Sequence, residues 1–377
     1  MKGKLLTTIS VLAGLCILAT QSLRAADSVT MLLDENGKKQ MAIGDIKEET
    51  YQYIVITVEK KDLKIPIERD GKPFVVDVSR QLPQETSKGM MLLEARKYEE
   101  AFDQFGKAYQ SDVLENPWVA PYIRYYAGES AFRNAKYAKI EDADKKAWYG
   151  KAEGQYGKLL EKLPQHRFAP DAALGRALAL MRADKFDEAQ KAFDDVAKSD
   201  YPAKMKVEAK VWGGKLLEEA GKYDEAIQAL QKIAAEMKGY SADPSLYYLA
   251  RLAEAYCWQG KKDSVKAEGI FEEVGLLSPD NEMRAEAFNS RGLSLQARGD
   301  QREALVSFLR VVVLHPDITH EYQRALYYAI LTSVDYYGND RRAQQLIQTM
   351  KARCPNSPWT AKLGPELQKR KVEVGGS

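Results

Sequence analysis

The sequence predicts a mainly α protein, a solenoid of about seven helix-turn-helix repeats preceded by a small all-β module. Three observations carry this. A spacing of Ala, a large residue four on and an apolar residue three further occurs seven times, beginning at Ala101, Ala152, Ala189, Ala226, Ala267, Ala304 and Ala343. Offsets of four and three put all three side chains on one stripe of a helix. In four copies a proline follows five residues later, at Pro164, Pro279, Pro316 and Pro355, where it stops the helix. Residues 27–80, by contrast, alternate with period two and carry turn signals.

Taken in chain order, residues 1–26 have the three parts of a secretory signal: Lys2 and Lys4, an apolar core from Leu5 to Ala19, and small residues at Ala25-Ala26. Cys16 follows Leu15, which is not the small residue a lipidation signal needs. The expectation is export to the periplasm or another extracytoplasmic compartment, with membrane contact only through a partner or an uncleaved signal segment. Removing Lys2, Lys4 and Arg24 leaves 53 basic and 54 acidic residues, a balance that argues against nucleic acid as partner.

The β module is expected over 27–80, as four or five short strands. Val29-Met31-Leu33 precedes a turn at Asp34–Gly37, and Tyr51–Val58 is rich in β-formers. Leu63-Ile65-Ile67 alternates, and Asp70-Gly71 turns the chain into Phe74–Val78. The array is expected over 81–358, with repeats near 82–115, 121–166, 170–203, 207–240, 246–281, 285–318 and 324–357, and 359–377 as a tail. Upstream of each triad lies a helix with its own small residue, such as Gly89, Gly214 and Gly292. Tight turns such as Gly221-Lys222 and Gly299-Asp300 join the two helices, with Gly in the left-handed region and Asp as cap.

Gly221-Lys222-Tyr223-Asp224-Glu225-Ala226, Lys185-Phe186-Asp187-Glu188-Ala189 and Lys97-Tyr98-Glu99-Glu100-Ala101 together resemble the tetratricopeptide repeat (TPR) pattern. The usual interval of that family is 34 residues, whereas the commonest interval between triads here is 37, a lengthening similar to bacterial envelope TPR proteins of the TolA-binding and outer-membrane-assembly type. The β module resembles the SH3-like domains that precede such arrays. In repeat two, Ala138 to Tyr149 is an insertion, read as a helix extension or loop whose aromatics pack locally, or as a contact element. The resemblance implies a concave groove lined by first helices, and a scaffold that holds a protein partner of the envelope or secreted class. The alternative is a carrier of a small molecule or oligosaccharide on a Tyr-rich wall. Groove positions counted from the motif are Tyr122, Tyr125, Glu129, Phe132, Lys215, Tyr247, Glu254, Asn289 and Tyr328. The Lys and Asn pairs of TPR domains that clamp a terminal carboxylate are missing, as Tyr125 with Glu129 and Val211 with Lys215 illustrate.

Catalysis has few candidates. There are three histidines, and no Gly-x-Ser-x-Gly elbow, phosphate-cradling loop or Cys-x-x-Cys pair. His315, Asp317, His320 and Glu321 lie close enough to suggest a divalent metal, but Pro316 opening a turn and Asp317 capping a helix explain the same residues. No enzyme activity, cofactor or metal is therefore expected. Cys257 and Cys354 fall two repeats apart, too far for a disulfide between packed helices.

Overall fold

The computed structural model describes residues 26–32, 37–69, 72–237 and 244–372. The chain divides into two compact units, residues 1–130 with 158–169, and residues 131–157 with 170–377. The signal-like segment lies outside the described residues except for Ala26, as do most of the Asp34–Gly37 turn and the Asp70-Gly71 turn.

In the first unit the β module is a five-stranded antiparallel sheet. Strands β1 (Asp27–Leu32), β2 (Lys39–Glu49), β3 (Tyr53–Val58), β4 (Lys61–Pro66) and β7 (Val75–Ser79) lie in the order β4-β3-β2-β1-β7. A short hairpin of β5 (Glu68–Arg69) and β6 (Lys72–Pro73) leads into β7. Val29, Ala42, Ile46, Ile54, Ile56, Ile65 and Phe74 fill its core face. The longest strand, β2, is one that residue patterns do not announce. Its sequence KQMAIGDIKEE is charged and contains Gly44, whose backbone runs against the Thr57 carbonyl so closely that a Cβ would collide with it. A register shift between Ile46 and Glu48 inserts an extra residue. Such a bulge flips the alternation, so both Ile46 and Glu49 point inward.

The described residues contain fifteen α-helices. The first two, α1 (Gln84–Glu94) and α2 (Tyr98–Glu115), pair within the first unit. Next come α3 (Ala120–Tyr137) and α4 (Asp142–Lys162), whose first and last parts respectively belong to that unit. In the second unit the first helices of successive pairs are α5 (Ala169–Arg182, from Pro170 on), α7 (Ala203–Glu219), α9 (Pro244–Gly260), α11 (Asn281–Arg298) and α13 (Thr319–Tyr337). Their partners are α6 (Phe186–Lys198), α8 (Tyr223–Met237), α10 (Ser264–Leu277), α12 (Gln301–Leu314) and α14 (Arg341–Arg353).

All twenty-one residues of the seven triads are buried, the least so Ile233 at 5% exposure. In five of the seven, sixteen positions before the large residue, stands a Gly or Ala: Gly89, Ala177, Gly214, Ala255 and Gly292. A Cβ on Gly89 would stand 2.6 Å from the Phe105 ring, one on Gly214 2.6 Å from Leu230, and one on Gly292 2.5 Å from Phe308. The absent side chain is what lets the two helices of a pair close on each other, and each large residue so buried contributes about 1.5–3 kcal/mol.

Turn chemistry departs from expectation. Gly221 and Gly299 do adopt positive φ, but Arg96, Asp184 and Lys262 hold the equivalent left-handed turn at φ 60–63°. Asp263, Asp280 and Asp340 cap the helices that follow them, whereas Asp300 does not; it accepts from Arg298 Nε at 2.9 Å instead. The insertion in repeat two is a short non-helical link, 138–141, followed by the first turns of α4, with Trp148 and Tyr149 buried and Tyr149 edge-on to Phe132. The expected tail is corrected: Pro358–Lys369 form helix α15, and Leu363, Leu367 and Val372 complete the core around α13 and α14. The last pair would otherwise leave an apolar face open, which is why repeat arrays end in a cap.

Candidate partner-binding cleft

In the second unit the first helices share an open cleft of about 440 Å³. It is lined by Arg182 of α5, Trp212, Lys215 and Glu219 of α7, Leu249, Leu252 and Ala253 of α9, and Glu282, Met283 and Glu286 of α11, with Asp280 at the start of α11. On α7 the offsets of three and seven keep the three side chains on one stripe. Across helices the lining repeats at the array's own interval: Trp212, Leu249 and Glu286 are spaced by 37, as are Lys215 and Leu252.

The cleft has an apolar floor and unequal charge. Arg182 Nη1 and Lys215 Nζ both reach Glu219 Oε1, at 3.3 and 3.9 Å, and Lys215 also lies 3.7 Å from Glu218. Burial pushes the Glu218 carboxyl above its ordinary range, with Lys215 opposing. On α11, Glu286 accepts the Tyr256 hydroxyl at 2.7 Å, and Glu282 faces the exposed imidazole of His320 at 3.6 Å. Burial, reinforced by Glu286, raises the Tyr256 phenol well above its usual value, so it stays a donor. Asp280 spends one oxygen on the Met283 amide, 3.0 Å away. Among the described residues no Lys or Arg pairs with Asp280, Glu282 or Glu286.

Of the nine positions read from sequence, Lys215 lies in this cleft. Three are corrected because they are buried and engaged. Tyr122 is 3% exposed and donates to Glu49 Oε2 at 2.6 Å. Glu254 is 2% exposed, accepting from Gln231 Nε2 at 2.7 Å on the second-helix side. Asn289 is fully buried, its Nδ2 bonded to the Glu321 backbone carbonyl at 3.0 Å and to the Glu321 carboxylate. Half-buried Tyr247 donates to Glu273 of α10 at 3.2 Å, and Tyr328 stacks on Phe308 at 5.5 Å. Tyr125 stacks flat on Phe168 at 4.5 Å, while Phe132 packs on Tyr149 and Glu129 is half-buried. Counting from the motif thus placed Lys215 in the cleft but put Tyr122, Glu254 and Asn289 on faces that pack inward. Trp212, Leu249 and Met283, the floor of the cleft, were missed; the signal for two of them was a large residue recurring at the 37-residue interval.

The polar cluster that Tyr122 joins is in the first unit. Glu49 Oε1 lies 2.6 Å from Arg80 Nη1, and Glu49 Oε2 lies 2.7 Å from Arg167 Nε. Arg80 also reaches Asp27 at 3.1 Å and stacks on Trp118. Thr50 bridges to His166, whose pKa burial pushes down to about 4. The β sheet and the segment after α4 are thereby locked together within one unit.

His315 is buried, which lowers its pKa, and His320 is exposed. Among the described residues no three His, Cys, Asp or Glu side chains are grouped to hold a metal ion. Nor is any described helix long and apolar enough to cross a membrane.

Residues 174–244 match the family model described as tetratricopeptide repeat. The comparison with curated proteins gives no match. Among solved structures, the chain is similar to the apo form of the quorum sensor NprR from B. thuringiensis, at 12% identity and TM-score 0.54, covering 76% of this chain and 82% of that one. It is similar to the apo form of RapI at 9% identity and TM-score 0.50, covering 77% and 82%. A TPR protein from Parabacteroides merdae aligns at 14% identity and TM-score 0.49, covering 75% and 97%. Paired helices, small-residue contacts and matched residues agree: this chain has the fold of a tetratricopeptide-repeat solenoid, preceded by an antiparallel β sheet.

Proposed function

We propose that the protein is an exported interaction scaffold of the cell envelope, and that a segment of a protein partner lies in the cleft over α5, α7, α9 and α11. The cleft carries this reading: half-buried Trp212, Leu249 and Met283 offer apolar area, and charged side chains rim it. A groove of that composition loses ordered water from apolar surface when a partner covers it. NprR, whose fold this chain shares, is a quorum sensor and has been crystallised with its cognate peptide NprX. That is a property of NprR, and for this chain it supports only the use of the fold as a peptide holder. The envelope assignment rests on the signal-like residues 1–26 and on the lengthened repeat interval.

The test is site-specific photo-crosslinking in cells. A photoreactive residue at Leu249 should trap one discrete protein, whereas one at exposed Val306, outside the cleft, should not. Equal labelling from both positions sinks the cleft reading. Separately, mass spectrometry of the fractionated protein should find it extracytoplasmic and lacking residues 1–26; an intact cytoplasmic chain removes the envelope assignment.

A further inference from the structure

We infer that the occupant of the cleft is an extended, apolar peptide segment carrying Lys or Arg, with its cationic side chain on the carboxylates of α11. The inference rests on the cleft reading above and adds the chemistry of the partner.

The argument is one of charge accounting along the cleft. At the α5–α7 end, each cation already faces an anion: Arg182 and Lys215 converge on Glu219, and Lys215 also faces Glu218. That end is internally neutralised. At the α11 end, among the described residues, Asp280, Glu282 and Glu286 have no Lys or Arg in an ion pair with them: Asp280 accepts the Met283 amide, Glu286 accepts the Tyr256 hydroxyl, and Glu282 lies 3.6 Å from the exposed His320 ring, with Arg324 near Tyr256 already paired to Glu321. Three carboxylates without a Lys or Arg ion pair, beside an apolar floor, select a cation flanked by apolar residues and repel an acidic segment.

Geometry sets the length. First helices of successive repeats stand about 10 Å apart, so crossing from α7 over α9 to α11 takes roughly 20 Å. An extended chain covers that in about six to eight residues. Trp212 and Leu249 receive the apolar part, and Lys or Arg reaches Glu282 and Glu286. The stem of either side chain would lie on Met283 while its head meets the carboxylates.

The test uses the full purified chain and three fluorescent peptides of about ten residues. They share the same apolar residues and differ only in two positions, occupied by Lys, Gln or Glu. Anisotropy titration should rank them Lys, Gln, Glu, with the Lys peptide about tenfold tighter than the Gln peptide at low salt. Raising salt to about 0.5 M should erase most of that advantage. Glu282→Gln with Glu286→Gln keeps the Tyr256 acceptor, and should bring the Lys peptide to the affinity of the Gln peptide. Trp212→Ala should weaken all three. Equal binding of the Lys and Glu peptides, or a preference that survives the double Gln variant, overturns the charge inference while leaving the cleft reading in place. If no peptide binds, or Trp212→Ala changes none of the three affinities, both fall. Unchanged melting of each variant establishes that losses are not unfolding.

Discussion

The hydroxyl of Tyr122 stands 2.6 Å from Glu49 Oε2, joining a helix of the first unit to a strand 73 residues earlier. Glu49 is thereby held by two arginines and a phenol, Arg80, Arg167 and Tyr122, with its side chain almost fully withdrawn from water. Burial raises the Tyr122 phenol far above its usual pKa, so it remains a proton donor.

Removing members of this cluster should therefore cost unequal amounts. Tyr122→Phe deletes one donor and leaves the arginines in place, an expected loss of about 1–3 kcal/mol. Glu49→Ala strands two buried guanidiniums and should cost about 3–5 kcal/mol. Urea unfolding of both variants measures this; equal losses would mean the ion pairs contribute little.

His166 makes the first unit sensitive to acid. Its folded pKa is pushed down to about 4 by burial, against about 6.5 unfolded, so between those values the unfolded chain binds the extra proton. Stability contributed by the neutral imidazole is complete above about pH 6.5 and is lost as pH falls toward 4. Because the ring is only partly shielded, the expected loss is about 1–2 kcal/mol. His166→Gln should flatten this slope; a wild type whose stability does not change over that range contradicts it.

Two glycine substitutions should move in opposite directions. Gly292→Ala gains about 1 kcal/mol of helix propensity but puts a Cβ 2.5 Å from Phe308, and overpacking of this kind costs about 1–3 kcal/mol. Gly269→Ala meets nothing within 4 Å and should stabilise by about 0.5–1 kcal/mol. Thermal melts of the pair decide whether the close helix approach at Gly292 is real.

The left-handed turn residues offer a further check. Lys262 holds φ 63° where Gly221 holds 74° in the preceding repeat. Lys262→Gly relieves the side-chain strain of that region, worth about 1 kcal/mol, and loses part of it to greater freedom of the unfolded chain. The expected net gain is about 0.5 kcal/mol. A loss above that size would show that the lysine side chain stabilises the turn.

Cys257 and Cys354 are free and buried, and burial pushes the Cys257 thiol up to about 12. At about pH 8 neither should react with a thiol reagent until denaturant is added, because the thiolate is the reactive form. Rapid labelling of the native chain would place one of them at the surface.

The fold was legible because its signal is a repeated one. Ala304, Phe308 and Val311 mean little alone, but seven such triads at helical offsets specify stacked hairpins, and all their members are buried. Strand β2 was not legible, since its inward residues are fixed by pairing with β1 and β3 and by a bulge, not by alternation within the strand.

What the chain by itself determined is thus the class of structure: short-range spacing dictates which side of each helix is apolar, and every repeat restates it. Tertiary structure alone decided what the remaining polar and aromatic residues do. Tyr122, Glu254 and Asn289 look alike from the motif to residues that meet solvent, yet each is buried against a partner distant in sequence. A phase difference of one or two positions is about 100–200° around a helix, enough to turn a side chain from cleft to core. Helix–helix packing fixes that phase, and it also brought Trp212, Leu249 and Glu286 to one wall.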